Sequence, residues 1–223
     1  MGIKRLSYIL IGITLSLIML FTAVDLVAFN RAHYLESFIK HQIPQVTGRN
    51  IEDLQYFMED LLTYLKDDRE LLDTVEIVNG EEIQVFGERA VLHMVDVKVL
   101  FVRGRWIRNV SIPILILLLF YLMKKDRGWK KSLAKTLYYT TAINVMLLLT
   151  LFILMQIDFY KYFTYFHLIF FDNDLWILDP SKEILIQMLP EEFFFESAIK
   201  IIAIYMLSLF TLGGIGYWYY KKR

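Results

Sequence analysis

Residues 136–157, TLYYTTAINVMLLLTLFILMQI, run for 22 positions without a charged side chain. At about 1.5 Å of rise per residue, a helix of that length crosses a hydrocarbon core of about 30 Å. Two other runs reach the same length class, Leu6–Val24 with 19 residues and Ile201–Tyr220 with 20. A fourth, Asn109–Met123, has only 15 residues between Arg108 and Lys124. It also reads as a span, because Arg108 and Lys124 can snorkel and Trp106 suits the interface. The alternative is a buried core helix, but IPILILLLFYLM from Ile112 has no polar face to show water. The chain reads as an α-helical integral membrane protein with four transmembrane helices.

Composition agrees. The hydrophobic fraction of 57% exceeds the roughly 45–50% of ordinary soluble domains. With 24 Lys+Arg against 24 Asp+Glu the chain carries no net charge, which argues against nucleic acid as a partner. The absence of cysteine excludes disulfides, cysteine-ligated metals and a thiolate nucleophile. The zero balance conceals a strong asymmetry. Lys4 and Arg5, the 124–135 segment and Lys221–Arg223 together hold eleven basic residues against one acid, Asp126. The two other loops, residues 30–107 and 158–196, hold eleven basic residues and 22 acidic. The positive-inside rule then puts both termini in the cytoplasm of a multi-pass cell-membrane protein. The apolar stretch of residues 1–29 is longer than a signal-peptide core and has no small-x-small cleavage site, so it reads as a retained anchor.

The expected order is a first span within residues 1–29, an extracytoplasmic cap over 30–107 and a second span over 108–123. A basic cytoplasmic loop (124–135), a third span (136–157), an aromatic-rich outer loop (158–196) and the last span with its basic tail (197–223) follow. Within the cap, Asn50 can N-cap a helix whose apolar positions Ile51, Leu54, Met58, Leu61, Leu62 and Leu65 recur at helical spacing. Asn79-Gly80, between residues 74–78 and 82–86, signals a short β-hairpin. Residues 88–105 read as helix, with a strand left open by their valines. The outer loop has nine aromatics in 18 residues between Phe159 and Trp176, which an interfacial belt alone would explain. After the Asp179-Pro180 turn a short helix is expected from Ser181, and Pro190 opens the last span.

Four histidines carry the candidate chemistry. His33 and His41, in a polar stretch, are expected to be solvated or capping. His93 has Asp96 one helical turn on, where a carboxylate can orient an imidazole. His167 lies among aromatic rings, where charging it is costly. There is no H-E-x-x-H, no G-x-S-x-G and no Gly-rich phosphate loop. The spacing from His167 to Asp172 spells H-x-x-x-x-D, but the rest of the acyltransferase signature is missing. Acid–base catalysis without a covalent enzyme intermediate suits this inventory, and no metal or nucleotide is called for.

The segment His93-Met94-Val95-Asp96-Val97-Lys98 is one half of a family likeness. The other is Phe166-His167-Leu168-Ile169-Phe170-Phe171, followed by Asn173, Trp176, Asp179-Pro180 and the run from Leu189 to Phe194. In this order and spacing the chain resembles the bacterial lipoprotein intramolecular transacylases. The resemblance implies four membrane helices under an extracellular cap, with catalytic histidines where the two meet. It implies a diacylglyceryl lipoprotein as substrate and membrane lipid as surroundings, and no cofactor. The reaction it implies moves the sn-2 acyl chain to the α-amine of the substrate's own N-terminal cysteine, leaving a lyso-form lipoprotein. His93 and His167 match the catalytic pair; the resemblance carries over no further residue, and Asp96 stands as the orienting carboxylate on its helical spacing from His93 alone. Phe166, Phe170, Phe171 and Trp176 are then the expected lining for acyl chains, at the outer membrane face. The rival readings are an outward-facing lipid hydrolase or intermolecular acyltransferase, and a non-catalytic sensor or assembly factor.

Overall fold

The computed structural model describes residues 2–221; Lys222 and Arg223 of the basic tail lie outside the described residues. In chain order the elements are α1 (Ile3–Ala28), α2 (Arg31–Lys40), α3 (Ile43–Thr47), α4 (Ile51–Leu65), β1 (Val75–Val78) and β2 (Glu81–Gln84). They continue with α5 (Glu88–Lys125), α6 (Trp129–Ile157), α7 (Phe159–Phe170), α8 (Ile184–Met188) and α9 (Glu191–Lys221). Among the described residues, four helices are long and apolar enough to cross a membrane: α1, α5, α6 and α9.

The chain divides into two units. The first takes the residues up to Val27, Gly104–Ile157 and those from Ala198 onward. Its helices approach closely through small residues, as membrane helices do when van der Waals packing must hold them together. A Cβ on Gly12 of α1 would stand 2.5 Å from the Thr140 hydroxyl of α6. A polar knot ties three helices: Asn144 Nδ2 donates to Ser16 Oγ at 2.9 Å, and Tyr205 Oη donates to Asn144 Oδ1 at 2.8 Å. Arg108 is ion-paired with Asp25, so the charge at the head of the shortest apolar run has a partner in α1.

The second unit comprises Ala28–Arg103 and Asp158–Ser197. Its core forms around α4, which buries Leu54, Phe57, Met58, Leu61, Leu62 and Leu65. Asn50 Oδ1 accepts from Asp53 N at 2.7 Å, the expected N-cap. Ile184, Leu185, Met188 and Phe193 complete this core from the far end of the sequence. The hairpin is antiparallel with Val78 opposite Glu81, and Asn79 and Gly80 take φ of 56° and 87°, the positive angles a two-residue turn requires.

The helix expected over residues 88–105 is present, and it continues without a break into the second span as a single 38-residue helix, α5, which carries Pro113 inside it. Other expectations are corrected. The first part of the aromatic-rich stretch, to which no helix was assigned, folds as α7, N-capped by Asp158, whose Oδ1 accepts from Lys161 N at 3.0 Å. The short helix after the Asp-Pro turn begins at Ile184 rather than Ser181, because Asp179 Oδ1 holds both Ser181 N and Ser181 Oγ in a local turn. His33 is not solvated: it is 1% exposed, stacks on Phe193 at 4.9 Å and bonds Ser197 Oγ through Nε2 at 2.8 Å. Ser197 already donates to the Phe193 carbonyl at 2.7 Å, so His33 Nε2 is the donor in that pair. His41 does cap, as expected: it closes α2, its backbone N–H donating to the Ser37 carbonyl at 2.9 Å, and its ring Nε2 lies 3.2 Å from Glu196.

Candidate active site

One face of α5 carries Arg89, His93 and Asp96, spaced four and three residues apart, so all three line a single stripe. A segment of seven residues, Phe171–Ile177, is fastened along that stripe. Arg89 donates through Nε to the Ile177 carbonyl at 3.1 Å, also to the Asp174 carbonyl, and pairs with the Asp174 carboxylate at 3.1 Å. His93 meets the edge of Phe171, with ring centroids 5.3 Å apart. Asp96 Oδ2 accepts from Asn173 Nδ2 at 2.8 Å. The segment's own turn is held by Asn173 Oδ1, which accepts from Leu175 N at 3.0 Å.

His167 comes from the buried side of α7. Its Nδ1 lies 2.8 Å from the Phe163 carbonyl one turn back. A carbonyl only accepts, so Nδ1 carries the proton in the neutral ring and Nε2 keeps its lone pair. The ring is packed between Phe163 (4.5 Å, edge-on) and Trp176 (4.7 Å, stacked), and Trp176 is itself held by donating Nε1 to the Asn173 carbonyl at 3.1 Å. The rings of His93 and His167 are 6.0 Å apart, and each residue is 8% exposed. All of these residues belong to the second unit.

His93 lies well ahead of the charge-free run Asn109–Met123 on α5, and α7 is not one of the four spans. Burial pushes His93 down to about 4, the neighbouring His167 adds to the fall, and Asp96 opposes it. Burial also lowers His167, against the Phe163 carbonyl, which favours its charged form. Both rings are therefore neutral near pH 7.

The two sequence-matched histidines are brought together, and Phe171 and Trp176 lie against them. Phe166 touches the edge of His167 at 5.6 Å, and Phe170 packs on Phe166 at 4.8 Å. Asp96 is within electrostatic range of His93, yet its carboxylate is taken up by Asn173, and His93 Nδ1 is buried without a hydrogen-bond partner among the described residues. Arg89, Phe163 and Asn173 had no assigned role in the sequence. Arg89 stands one helical turn before His93, which is the one signal that marked it. Among the described residues no three His, Asp or Glu side chains cluster as metal ligands would.

A family model described as lipoprotein intramolecular transacylase Lit matches residues 9–194. No curated protein matches the chain in sequence. Among solved structures, the membrane integral lipoprotein intramolecular transacylase Lit from Bacillus cereus is similar with a TM-score of 0.82 and 24% identity, over 98% of this chain and 96% of that one. Two variants of that protein, with a histidine replaced by arginine and by alanine, match at TM-score 0.73 and 23% identity, over 98% of this chain. They are covered to 92% and 94% respectively. At these identities the structures speak for a shared fold. The family match takes in both histidine segments and the segment Phe171–Ile177 that is fastened to α5. The chain belongs to the lipoprotein intramolecular transacylase family and is a multi-pass membrane enzyme.

Proposed function

We propose that the enzyme moves the sn-2 acyl chain of a diacylglyceryl-modified lipoprotein to the α-amine of that lipoprotein's N-terminal cysteine, with His167 as base and His93 as hydrogen-bond donor. The observation that carries the assignment is the bond from His167 Nδ1 to the Phe163 carbonyl, which leaves Nε2 unprotonated. The amine nitrogen attacks the ester carbonyl, forming the C–N bond, and gives its proton to His167 Nε2. A ring N–H of His93 meets the oxygen on which negative charge develops. The C–O ester bond then breaks, and the proton taken up by His167 returns to the departing glycerol oxygen. The product is an N-acyl, S-monoacylglyceryl lipoprotein, the lyso form.

The chemistry asks little of the catalyst. A free α-amino group titrates at about 7.7–8.0, so a neutral imidazole suffices to take its proton. Amine and ester belong to one molecule, and holding the medium-sized ring of the attack closed supplies as much as about 7–11 kcal/mol. Phe166, Phe170, Phe171 and Trp176 would confine the acyl chains and keep out water, which would otherwise hydrolyse the ester. The excess of Lys and Arg at both termini and in the 124–135 segment supports an outward-facing site with both termini in the cytoplasm.

The test is mass spectrometry of the N-terminal peptide of one lipoprotein, with and without the enzyme. The expected result is an isomer of unchanged mass whose acyl chain has moved from glycerol to nitrogen. Loss of one acyl mass without N-acylation would instead make the protein a hydrolase.

A further inference from the structure

The seven-residue segment between α7 and α8 that is fastened to α5 suggests a residue on which both histidines depend. Asn173 uses all of its polar atoms but the backbone N–H inside this site. Its amide Nδ2 donates to Asp96 at 2.8 Å, its Oδ1 shapes the turn through Leu175 N at 3.0 Å, and its carbonyl takes the Trp176 indole at 3.1 Å. Trp176 in turn stacks on His167. Asp96 stands three residues after His93 on the same helix, the spacing at which a carboxylate and an imidazole ordinarily meet. They do not bond here: His93 Nδ1 is buried without a partner among the described residues, and Asp96 faces Asn173.

We propose that Asn173 is a positioning residue for the transfer: it holds the Asp96 carboxylate off the His93 ring, keeping that ring neutral and its nitrogen open to substrate, while its carbonyl seats Trp176 on His167. This rests on the histidine pair acting as described above. The groups that bear on the charge of His93 are few. Asp96 lies on its own helix and His167 comes from α7. Arg89, one turn before it, is occupied by Asp174, and Asp172 beside Phe171 is exposed. Among the described residues, Asp96 is thus the acid that acts on His93 and could turn it into an imidazolium. A carboxylate brought within about 4–6 Å of a base raises its pKa, and once paired the ring no longer offers its nitrogen to substrate.

The test exploits the two separate roles of the side chain. Asn173→Asp keeps the acceptor for Leu175 N and so the turn, but sets a second carboxylate against Asp96. The exchange variant, Asp96→Asn with Asn173→Asp, restores one carboxylate and one amide across the same contact. Rates against pH are measured for the full-length enzyme in detergent with a synthetic diacylglyceryl lipopeptide. Asn173→Asp is expected to lose about tenfold or more in kcat with little change in KM, and to raise the titration point of His93, read from its imidazole carbon resonance in histidine-labelled protein. The exchange is expected to recover most of the rate and the parent titration point of His93, which a merely structural role would not produce. A parent-like rate and titration point for Asn173→Asp, or an exchange no better than that single variant, overturns the proposal.

Should Asn173→Asp fail to fold, the readout is the imidazole carbon resonance of His93 in histidine-labelled protein, identified by its loss in His93→Gln. A higher titration point for His93 in Asn173→Ser than in the parent supports the proposal, and an unchanged one overturns it. His93→Ala and His167→Ala are assayed alongside. If they keep full activity, the catalytic reading falls, while the resonance of His93 still tests the Asn173 tether by itself.

Discussion

At the scale of single residues, the two histidines are 6.0 Å apart and are expected to act as one acid–base unit. Removing either should then cost nearly as much as removing both, because the members of such a unit are strongly non-additive. His93→Ala and His167→Ala are each expected to lose about 10²–10⁴-fold in rate, with the double variant little worse. Single-turnover assays on variants that extract and migrate like the parent check this, and additive losses would break the pair into independent contributors. A second expectation concerns pH. Both rings are held below the ordinary histidine value of about 6.5, chiefly by burial, so both stay neutral until the pH falls below that value. A base is useful while unprotonated, so once the substrate amine's own titration at about 7.7–8.0 is measured separately, the enzyme's contribution to the acid limb of kcat/KM is expected below pH 6.5; a further enzyme limb at or above it would place a different group in the reaction. His93 and His167 were legible in the sequence because each sits in a recognisable local motif. Asn173 was named in the same motif, but its role and that of Arg89 were not legible, since the α5 and loop partners that define them lie 77 to 88 positions away. His33 misled for the same reason. Its neighbours in sequence are polar, and what buries it is Phe193 and Ser197 from α9.

At the scale of elements, the spans and the hairpin were legible because their signals are local. A charge-free run or an Asn-Gly pair needs no knowledge of the rest of the chain. The length of α5 and the helicity of α7 were not. The charges of residues 88–108 hide the continuity between the helix read there and the apolar run, and an almost wholly apolar α7 offers no polar face to give a clear helical period. How tightly the long helices fit can be tested on α9. A Cβ on Gly216 would stand 2.8 Å from the Ala134 carbonyl and 3.3 Å from Tyr138 N, both backbone atoms of α6 that cannot swing away. A Cβ on Gly214, two residues earlier, would meet nothing within 4 Å. Gly216→Ala is therefore expected to destabilise by about 1–3 kcal/mol through overpacking. Gly214→Ala should be neutral or slightly stabilising, since alanine favours helix by as much as about 1 kcal/mol. Thermal unfolding of the two variants in the same detergent compares them directly, and equal midpoints would mean that α6 and α9 do not meet as closely as Gly216 implies.

At the scale of the whole molecule, the question is which side of the membrane each loop faces, and the charges bear on it most directly. Eleven basic residues against one acid gather at the two termini and in residues 124–135, while the remaining loops carry twice as many acids as bases. The membrane potential and the insertion machinery both favour keeping the basic segments inside, so the histidines should face outward. The absence of native cysteine makes the test clean. Single cysteines at Glu81 in the hairpin and at Asp174 in the segment fastened to α5 are expected to react with an impermeant thiol reagent on intact cells. A cysteine at Lys130 is expected to react only after the cells are opened. Asp174 matters most, because it stands three residues from Phe171, against which His93 packs, and reports on the site itself. The variant must also keep activity, since Asp174 is paired with Arg89 and a displaced segment could be labelled for the wrong reason. If Lys130 is labelled from outside while Asp174 is protected, the site faces the cytoplasm. The positive-inside argument then fails for this chain, and the lipoprotein substrate would have to be met before export rather than after it.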